Sequence, residues 1–303
     1  MTGNNNTPIA NWQKSVPLAL TALVAVTAVW GSTFIVVQNA ISRMPVMDFL
    51  AVRFSVATLL MIILRPSCWR GIQIQELWHG VVLGLVLGSG YITQTYGLLW
   101  ASAAVSGFIT GMFVVLTPVM AWLILRQRIH WNAWFAVGLA AVGLALLGLH
   151  GWSVGLGELL TFGCAVFFAV HIVGLGYWSP RHDTYRLTVF QIGTVAVVSL
   201  IAAAPGGVAL PPDAGVWGAV GLTAVLATAI AFLVQTWTQA LVPPTRAAVV
   251  MTMEPVFAGI FAVVFGGNQL TLRIIGGAAC VLAAMLIVQI RSVPASQKQH
   301  DVT

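Results

Sequence analysis

Ten mostly apolar stretches, each about the 20 residues a helix needs to cross a bilayer, follow one another with almost nothing between them. They run Leu18–Gln38, Val46–Leu64, Leu77–Leu98, Ala101–Leu125, Trp131–Leu149, Gly155–Gly176, Leu187–Ala204, Val216–Thr238, Ala247–Phe265 and Leu272–Ile290. Charges, Pro and Gly turns and Trp mark their borders, as expected where amphipathic rings sit at headgroup level. Only 7% of residues are charged and 59% are hydrophobic, against about 25% charged in a soluble domain. A water-soluble fold has no interior for so much apolar surface, whereas lipid solvates it. The sequence therefore predicts an all-α integral membrane protein of ten transmembrane helices.

Charge gives the orientation. With the N-terminus inside, the inside segments hold Lys14, Arg65, Arg70, Arg126, Arg128, Arg181, Arg186, Arg246, Arg291 and Lys298, and the outside connections hold Arg43 and Arg273. Cytoplasmic loops are enriched in Lys and Arg, so both termini are expected in the cytoplasm. Residues 1–17 read as an N-terminal tail rather than a cleaved signal, and 292–303 as a C-terminal tail. The net charge of +6 follows from the same bias, so membrane lipids and not nucleic acid are the expected surroundings. Cys68, Cys164 and Cys280 are odd in number and widely spaced, and read as small hydrophobes. Neither a metal nor another cofactor is expected. Monomer and dimer both remain open.

The ten spans repeat as five and five, 18–150 and 151–291. Gln94-Thr95-Tyr96 in the third span returns as Gln235-Thr236-Trp237 in the eighth. Pro118-Val119 in the fourth returns as Pro255-Val256 in the ninth, and Gly138-Leu139-Ala140-Ala141 in the fifth as Gly277-Ala278-Ala279-Cys280 in the tenth. An odd number of spans per repeat inserts the halves with opposite orientation. Inverted repeats of this kind build secondary transporters, whose solute site lies near the midplane between the halves. Gly80, Gly84 and Gly88, one turn apart on the third span, predict a tight helix contact.

Three motifs carry a resemblance. Trp30-Gly31-Ser32-Thr33-Phe34, Ala51-Val52-Arg53-Phe54 and Glu254-Pro255-Val256-Phe257-Ala258 resemble, in the same order, signatures of EamA-type members of the drug/metabolite transporter superfamily. Where that family usually shows Gly-Glu after the ninth span, this chain has Gly267-Asn268, and the matching place in the first half reads Arg126-Gln127-Arg128. The resemblance implies export of metabolites across a bacterial inner membrane. It comes closest to the YddG-like exporters of aromatic and other amino acids, so small-molecule substrates, amino acids among them, are expected.

Candidate site residues follow from polarity within lipid. An ionisable group there is expensive and reads as functional by default. Arg53 lines an aqueous cavity or binds a carboxylate, or else it snorkels to hold a helix end. Glu254, beside Pro255, is a proton-coupling candidate or an interhelical contact. His171 is a relay or a satisfied core histidine, and His79 beside Trp78 is an interface residue unless it faces the cavity. Among uncharged groups, Ser32, Thr33, Gln38, Gln94 and Gln235 need partners that a central cavity supplies. Trp30, Tyr91, Trp100, Phe108, Phe168 and Trp237 are candidate aromatic walls, suited to partly apolar solutes.

Other function classes lack their motifs. A rhomboid-like intramembrane hydrolase needs a Gly-x-Ser-Gly turn, and Gly88-Ser89-Gly90 and Ser106-Gly107 do not supply it. There is no His-Glu-x-x-His, no P-loop and no repeated filter sequence. Export by alternating access is the expected function, with import or exchange of another organic solute as its alternative, and no enzyme activity is expected.

Overall fold

The computed structural model describes residues 8–126, 131–150, 153–267 and 271–290. Gln127, Arg128, Asn268, Arg291 and Lys298, with the expected C-terminal tail, lie outside the described residues. Thirteen helices are described in chain order: α1 (Pro8–Ile41), α2 (Val46–Leu64), α3 (Ile74–Gly97), α4 (Ala103–Gly111), α5 (Phe113–Leu125), α6 (Trp131–Gly148), α7 (Leu156–Trp178), α8 (Thr184–Ala203), α9 (Ala214–Ala224), α10 (Ala231–Leu241), α11 (Pro244–Met251), α12 (Met253–Val264) and α13 (Leu272–Ile290). They form the ten expected spans because three spans are each built from two helices. A pair of two-residue strands, Leu149–His150 and Ser153–Val154, closes the link between the halves. The first helix already starts at Pro8, ahead of the apolar run that begins at Leu18.

Six of the described helical segments are long and apolar enough to cross a membrane, and Trp134–Leu147, Met253–Val264 and Leu272–Ile287 are shorter apolar helices. The remaining span, α3, is more polar because protein and not lipid surrounds much of it: α7 and α8 both pack along its length.

Most of the packing runs between the halves. The main contacts are α6 on α13, α3 on α7 and α8, α2 on α8, α1 on α12, and α4 on α12. Exchanging the first five spans for the second five maps each of these contacts onto itself or onto another contact of the structure. The second–seventh, fourth–ninth and fifth–tenth contacts return unchanged. The first–ninth contact becomes the sixth–fourth contact (α7 on α4 and α5), and the third–sixth contact becomes the eighth–first (α10 on α1). This is the pairing that a two-fold axis between inverted halves requires.

Glycines make the close approaches possible, since in lipid helices associate by backbone proximity rather than by the hydrophobic effect. The α3 ridge faces α8 as expected. A Cβ on Gly84 would stand 2.5 Å from the Gln191 carbonyl oxygen, and one on Gly80 would stand 2.4 Å from Phe190 Cβ. Between the fifth and tenth spans the facing pair is Gly143 and Gly277, each with a would-be Cβ near the other's carbonyl. Gly138, the glycine that the sequence repeat aligns with Gly277, has open space instead.

The fourth and ninth spans are each interrupted by one residue, at Met112 and at Thr252. Met112 lies 18 residues after Gln94 and Thr252 lies 17 after Gln235, so the interruptions keep the register of the repeat better than the prolines do. Pro255 accounts for the ninth: it has no N–H for the Met251 carbonyl one turn back. Gly111, beside the fourth-span interruption, leaves room for the Pro255 ring, whose Cγ would lie 2.8 Å from a Cβ there. The two interruptions are thus packed on each other at the centre of the molecule.

Ion pairs sort by face. Arg43 pairs with Asp213 at one end of the bundle, and Arg65 with Asp183 and Arg186 with Glu76 at the other. Each joins connections that an even count of spans puts on the same side. Asp183 also caps α8 by accepting from the Arg186 N–H. Partial burial raises the Asp183 carboxyl, but that N–H and the Arg65 guanidinium outweigh it and hold the group below the usual carboxylate range.

Two outcomes are expected of purified protein in detergent. Gly84→Ala forces a Cβ into the α8 backbone and costs about 1–3 kcal/mol, the usual scale of overpacking, whereas Gly88→Ala, whose Cβ would meet Val195 at 3.6 Å, leaves the unfolding midpoint nearly unchanged. Because the Asp183 pKa is depressed on folding, its stabilisation is complete above the ordinary carboxylate pKa of about 4 and is lost as pH falls through the folded value. Thermal melts of Asp183→Asn at a series of pH values are therefore expected to be lower than wild type near neutrality and to converge with it in acid.

Candidate functional site

A cavity lies where the halves meet. Its walls come from spans one, three, four, six, eight and nine: Trp30, Thr33, Phe34, Leu87, Tyr91, Gln94, Phe113, Phe168, His171, Ile172, Phe232, Gln235, Met251 and Glu254. Helical spacing explains the set, since residues three and four apart share a helix face. Trp30, Thr33 and Phe34 do so on α1, Leu87, Tyr91 and Gln94 on α3, and Phe168, His171 and Ile172 on α7. Free space within it is about 40 Å3, room for a few waters. The walls must part to admit an organic solute.

Aromatic rings form one continuous wall. Trp30 lies 5.6 Å from Phe232, Tyr91 lies 6.0 Å from Phe232 and 5.4 Å from Phe168, mostly edge to face. Gly90 allows this, since a Cβ there would meet the Phe168 ring at 2.5 Å. Gly31, next to Trp30, similarly brings α1 against α12, with a would-be Cβ 2.7 Å from the Ala258 N and 2.9 Å from the Glu254 carbonyl oxygen. The Trp30-Gly31 and Glu254–Ala258 motifs are therefore the two sides of a single helix contact.

Behind this wall the eighth span widens into a π-helical segment, Val225–Ile230. Such a turn disturbs the regular backbone ladder and often marks a functional site. Two side chains from the first half meet it. Trp30 Nε1 donates to the Ala227 carbonyl at 2.9 Å, and Arg53 Nε donates to Thr228 Oγ1 at 2.9 Å. Arg53 is 2% exposed, with its guanidinium over the Tyr91 and Phe54 rings and a longer contact of 3.4 Å to the Tyr91 hydroxyl. It stands behind Tyr91 and not in the cavity lining.

A second buried network runs outward from His171. Its Nε2 meets Gln191 Oε1 at 2.7 Å, and Gln191 Nε2 donates to Thr236 Oγ1 at 3.1 Å. It joins spans six, seven and eight. Gln94 donates to Thr110 Oγ1, and Gln235 donates to Gln239 Oε1, which leaves Gln235 Oε1 buried without a hydrogen bond. The equivalent residues Gln94 and Gln235 thus reach one cavity, while Thr236 turns away to hold Gln191.

Of the residues singled out by sequence, Trp30, Thr33, Tyr91, Gln94, Phe168, His171, Gln235 and Glu254 meet in this cavity. The others stand elsewhere. Ser32 donates to the Val29 carbonyl of its own helix, and Gln38 donates to the Leu98 and Ala101 carbonyls, tying down the link between spans three and four. Trp100 lies in that link, 57% exposed. Phe108 packs against Gly259, and Trp237 is half-buried outside the lining. His79 is at the face of the bundle, stacked on Trp178 with its Nδ1 2.7 Å from His182 Nε2. Phe34, Leu87, Phe113, Ile172, Phe232 and Met251 were not anticipated. Most were within reach of the three-and-four rule, Phe232 one turn before Gln235 and Met251 one turn before Glu254.

Gln191→Leu removes both hydrogen bonds of the buried network at once. It is expected to cost about 1–3 kcal/mol by leaving the His171 ring unpaired, read as a lower unfolding midpoint, while Thr236→Val costs less because Gln191 keeps His171.

Comparison with known proteins agrees with this architecture. The EamA-like transporter family matches the chain twice, over residues 17–149 and 155–290. An uncharacterized transporter of Archaeoglobus fulgidus is 31% identical over 270 residues, covering 89% of this chain and 85% of its own. The uncharacterized transporter YoaV of Bacillus subtilis is 22% identical over 287 residues, covering 88% and 94%. A solved crystal structure superposes with a TM-score of 0.67 over 89% of this chain and 96% of its own, at 19% identity, a likeness of fold alone. The chain, a multi-pass membrane protein, belongs to the EamA-like transporter family of the drug/metabolite transporter superfamily.

Proposed function

We propose that the protein exports amino acids, aromatic ones included, across a bacterial inner membrane by alternating access around the central cavity. The observation that carries this reading is the cavity's composition: a ring wall of Trp30, Tyr91, Phe168 and Phe232 with the amides of Gln94 and Gln235 and one carboxylate, Glu254, placed between inverted halves. A mostly apolar enclosure with a few polar groups suits a solute that has an apolar body and a polar head. Inverted halves allow the site to face either side by rocking. The ion pairs at the two ends are the contacts such rocking would break in turn, Arg43–Asp213 when one side opens and Arg65–Asp183 with Arg186–Glu76 when the other does. The charge bias of the connections puts the latter pair at the cytoplasm. Glu254 and His171, the ionisable groups of the lining besides Tyr91, are the candidates for proton coupling.

Reconstituted vesicles test this. Radiolabelled tryptophan or phenylalanine is expected to move faster than in protein-free vesicles. A panel in which no amino acid exceeds that control overturns the amino-acid assignment. Phe232→Ala is expected to lower kcat/KM for an aromatic substrate by up to about tenfold, the worth of one ring contact, and to change alanine flux much less. Equal losses for both substrates would count against an aromatic wall that touches the solute.

A further inference from the structure

Glu254 differs from the carboxylates that cap helices or pair at the ends of the bundle. Asp183 and Asp213 cap helices and pair with arginines, Glu76 pairs with Arg186, and Asp48 accepts from the Ala209 N–H. The Glu254 side chain is 5% exposed and lines the cavity, and among the described residues no hydrogen bond or ion pair engages it. The cationic candidates nearby are already committed. Arg53 is held by Thr228 and Tyr91 behind the ring wall, and the Nε2 of His171 is taken by Gln191. Among the described residues, the lining contains no Lys or Arg.

A carboxyl removed from water without a partner is costly to ionise, so its charged form calls for a cation beside it. The surrounding wall favours the same kind of partner. The faces of Trp, Tyr and Phe rings attract ammonium groups, Trp most strongly, and a set of such rings is a recurrent means of recognising alkylammonium ions. Trp30, Tyr91, Phe168 and Phe232 are joined ring to ring, with centroids 5.4 to 6.0 Å apart, and line the same cavity as this acid. A solute carboxylate would meet ionised Glu254 as a like charge in a poorly screened site.

From this geometry we infer that Glu254 anchors the ammonium group of the solute against the aromatic wall, so that the site selects primary amines and amino acids and rejects the corresponding carboxylic acids that lack the amine. This rests on the central cavity being the solute site and names the end of the solute that is held there.

The test compares tryptophan with tryptamine, which lacks the carboxylate, and indole-3-propionate, which lacks the amine. Binding to the detergent-solubilised full chain is measured by calorimetry, and in vesicles each compound competes against labelled tryptophan. Tryptamine is expected to bind within about tenfold of tryptophan, and indole-3-propionate about 30-fold or more weaker, the scale of one charge-assisted hydrogen bond. Glu254→Gln is expected to weaken tryptophan and tryptamine alike by about the same 30-fold with little change in thermal unfolding, and Glu254→Asp to recover part of the loss. Indole-3-propionate binding as well as tryptophan overturns the inference, as does a folded Glu254→Gln protein of unchanged tryptamine affinity. If Glu254→Gln does not fold, the wild-type comparison of the three compounds decides alone. Tryptamine binding that depends on Glu254 in a protein that moves no amino acid would overturn the amino-acid reading while leaving the anchor in place.

Discussion

No water is available in the middle of a bilayer to satisfy a backbone that departs from the α-helix. Among the described residues, the spans depart from it at Met112, at Thr252 and across Val225–Ile230. Met112 and Thr252 are buried, and the widened turn directs Ala227, Thr228 and Ala229 inward while Leu226 and Ile230 face outward. The fourth- and ninth-span interruptions lie on each other through Gly111 and Pro255, and the widened turn of the eighth span receives the indole N–H of Trp30 and the guanidinium of Arg53. These side chains come from the opposite half. Each half therefore helps to complete the irregular helices of the other, and the cavity lies where those contacts meet.

That dependence gives the family motifs a physical reading. Trp30 and Gly31 act as one device: the indole stitches α1 to the π-helical turn, and the glycine beside it admits the Glu254–Ala258 turn of α12. Arg53-Phe54 acts with Tyr91, since both residues hold that ring, Arg53 over its face and Phe54 at 5.0 Å. Three short motifs far apart in sequence converge on the wall of one cavity.

Much of the architecture was legible in the sequence because it rests on periodic signals. Apolar length gave the spans, and the bias of Lys and Arg gave an even count that the ion pairs between same-side connections now match. The paired Gln94 and Gln235 pointed to the cavity both residues line. The misplacements share a cause. Ser32, Gln38, Trp100 and Trp237 have the right chemistry for a site, but which face of a helix they occupy depends on rotation against neighbours, and polarity alone does not encode that. Gln38 is spent on two carbonyls of a connection, a use visible only once the chain has turned back. The π-helical segment is hard to see in Val225-Leu226-Ala227-Thr228-Ala229-Ile230, because beside the Thr228 hydroxyl on the Thr223 carbonyl its partners, Trp30 and Arg53, lie in the other half. Repeated glycines were a sound guide to close packing on α3 and a poor one in the fifth span, where alignment by repeat chose Gly138 over Gly143.

The widened turn occurs in one half only: α3, the counterpart of the eighth span, runs unbroken from Ile74 to Gly97. In a molecule of two identical inverted halves, tilting one way and tilting the other would be mirror events of equal free energy, and the empty protein would divide its time evenly between them. A π-helical segment set against a straight rod breaks that symmetry. Under the proposed rocking, the two orientations would differ in energy before any solute or gradient acts.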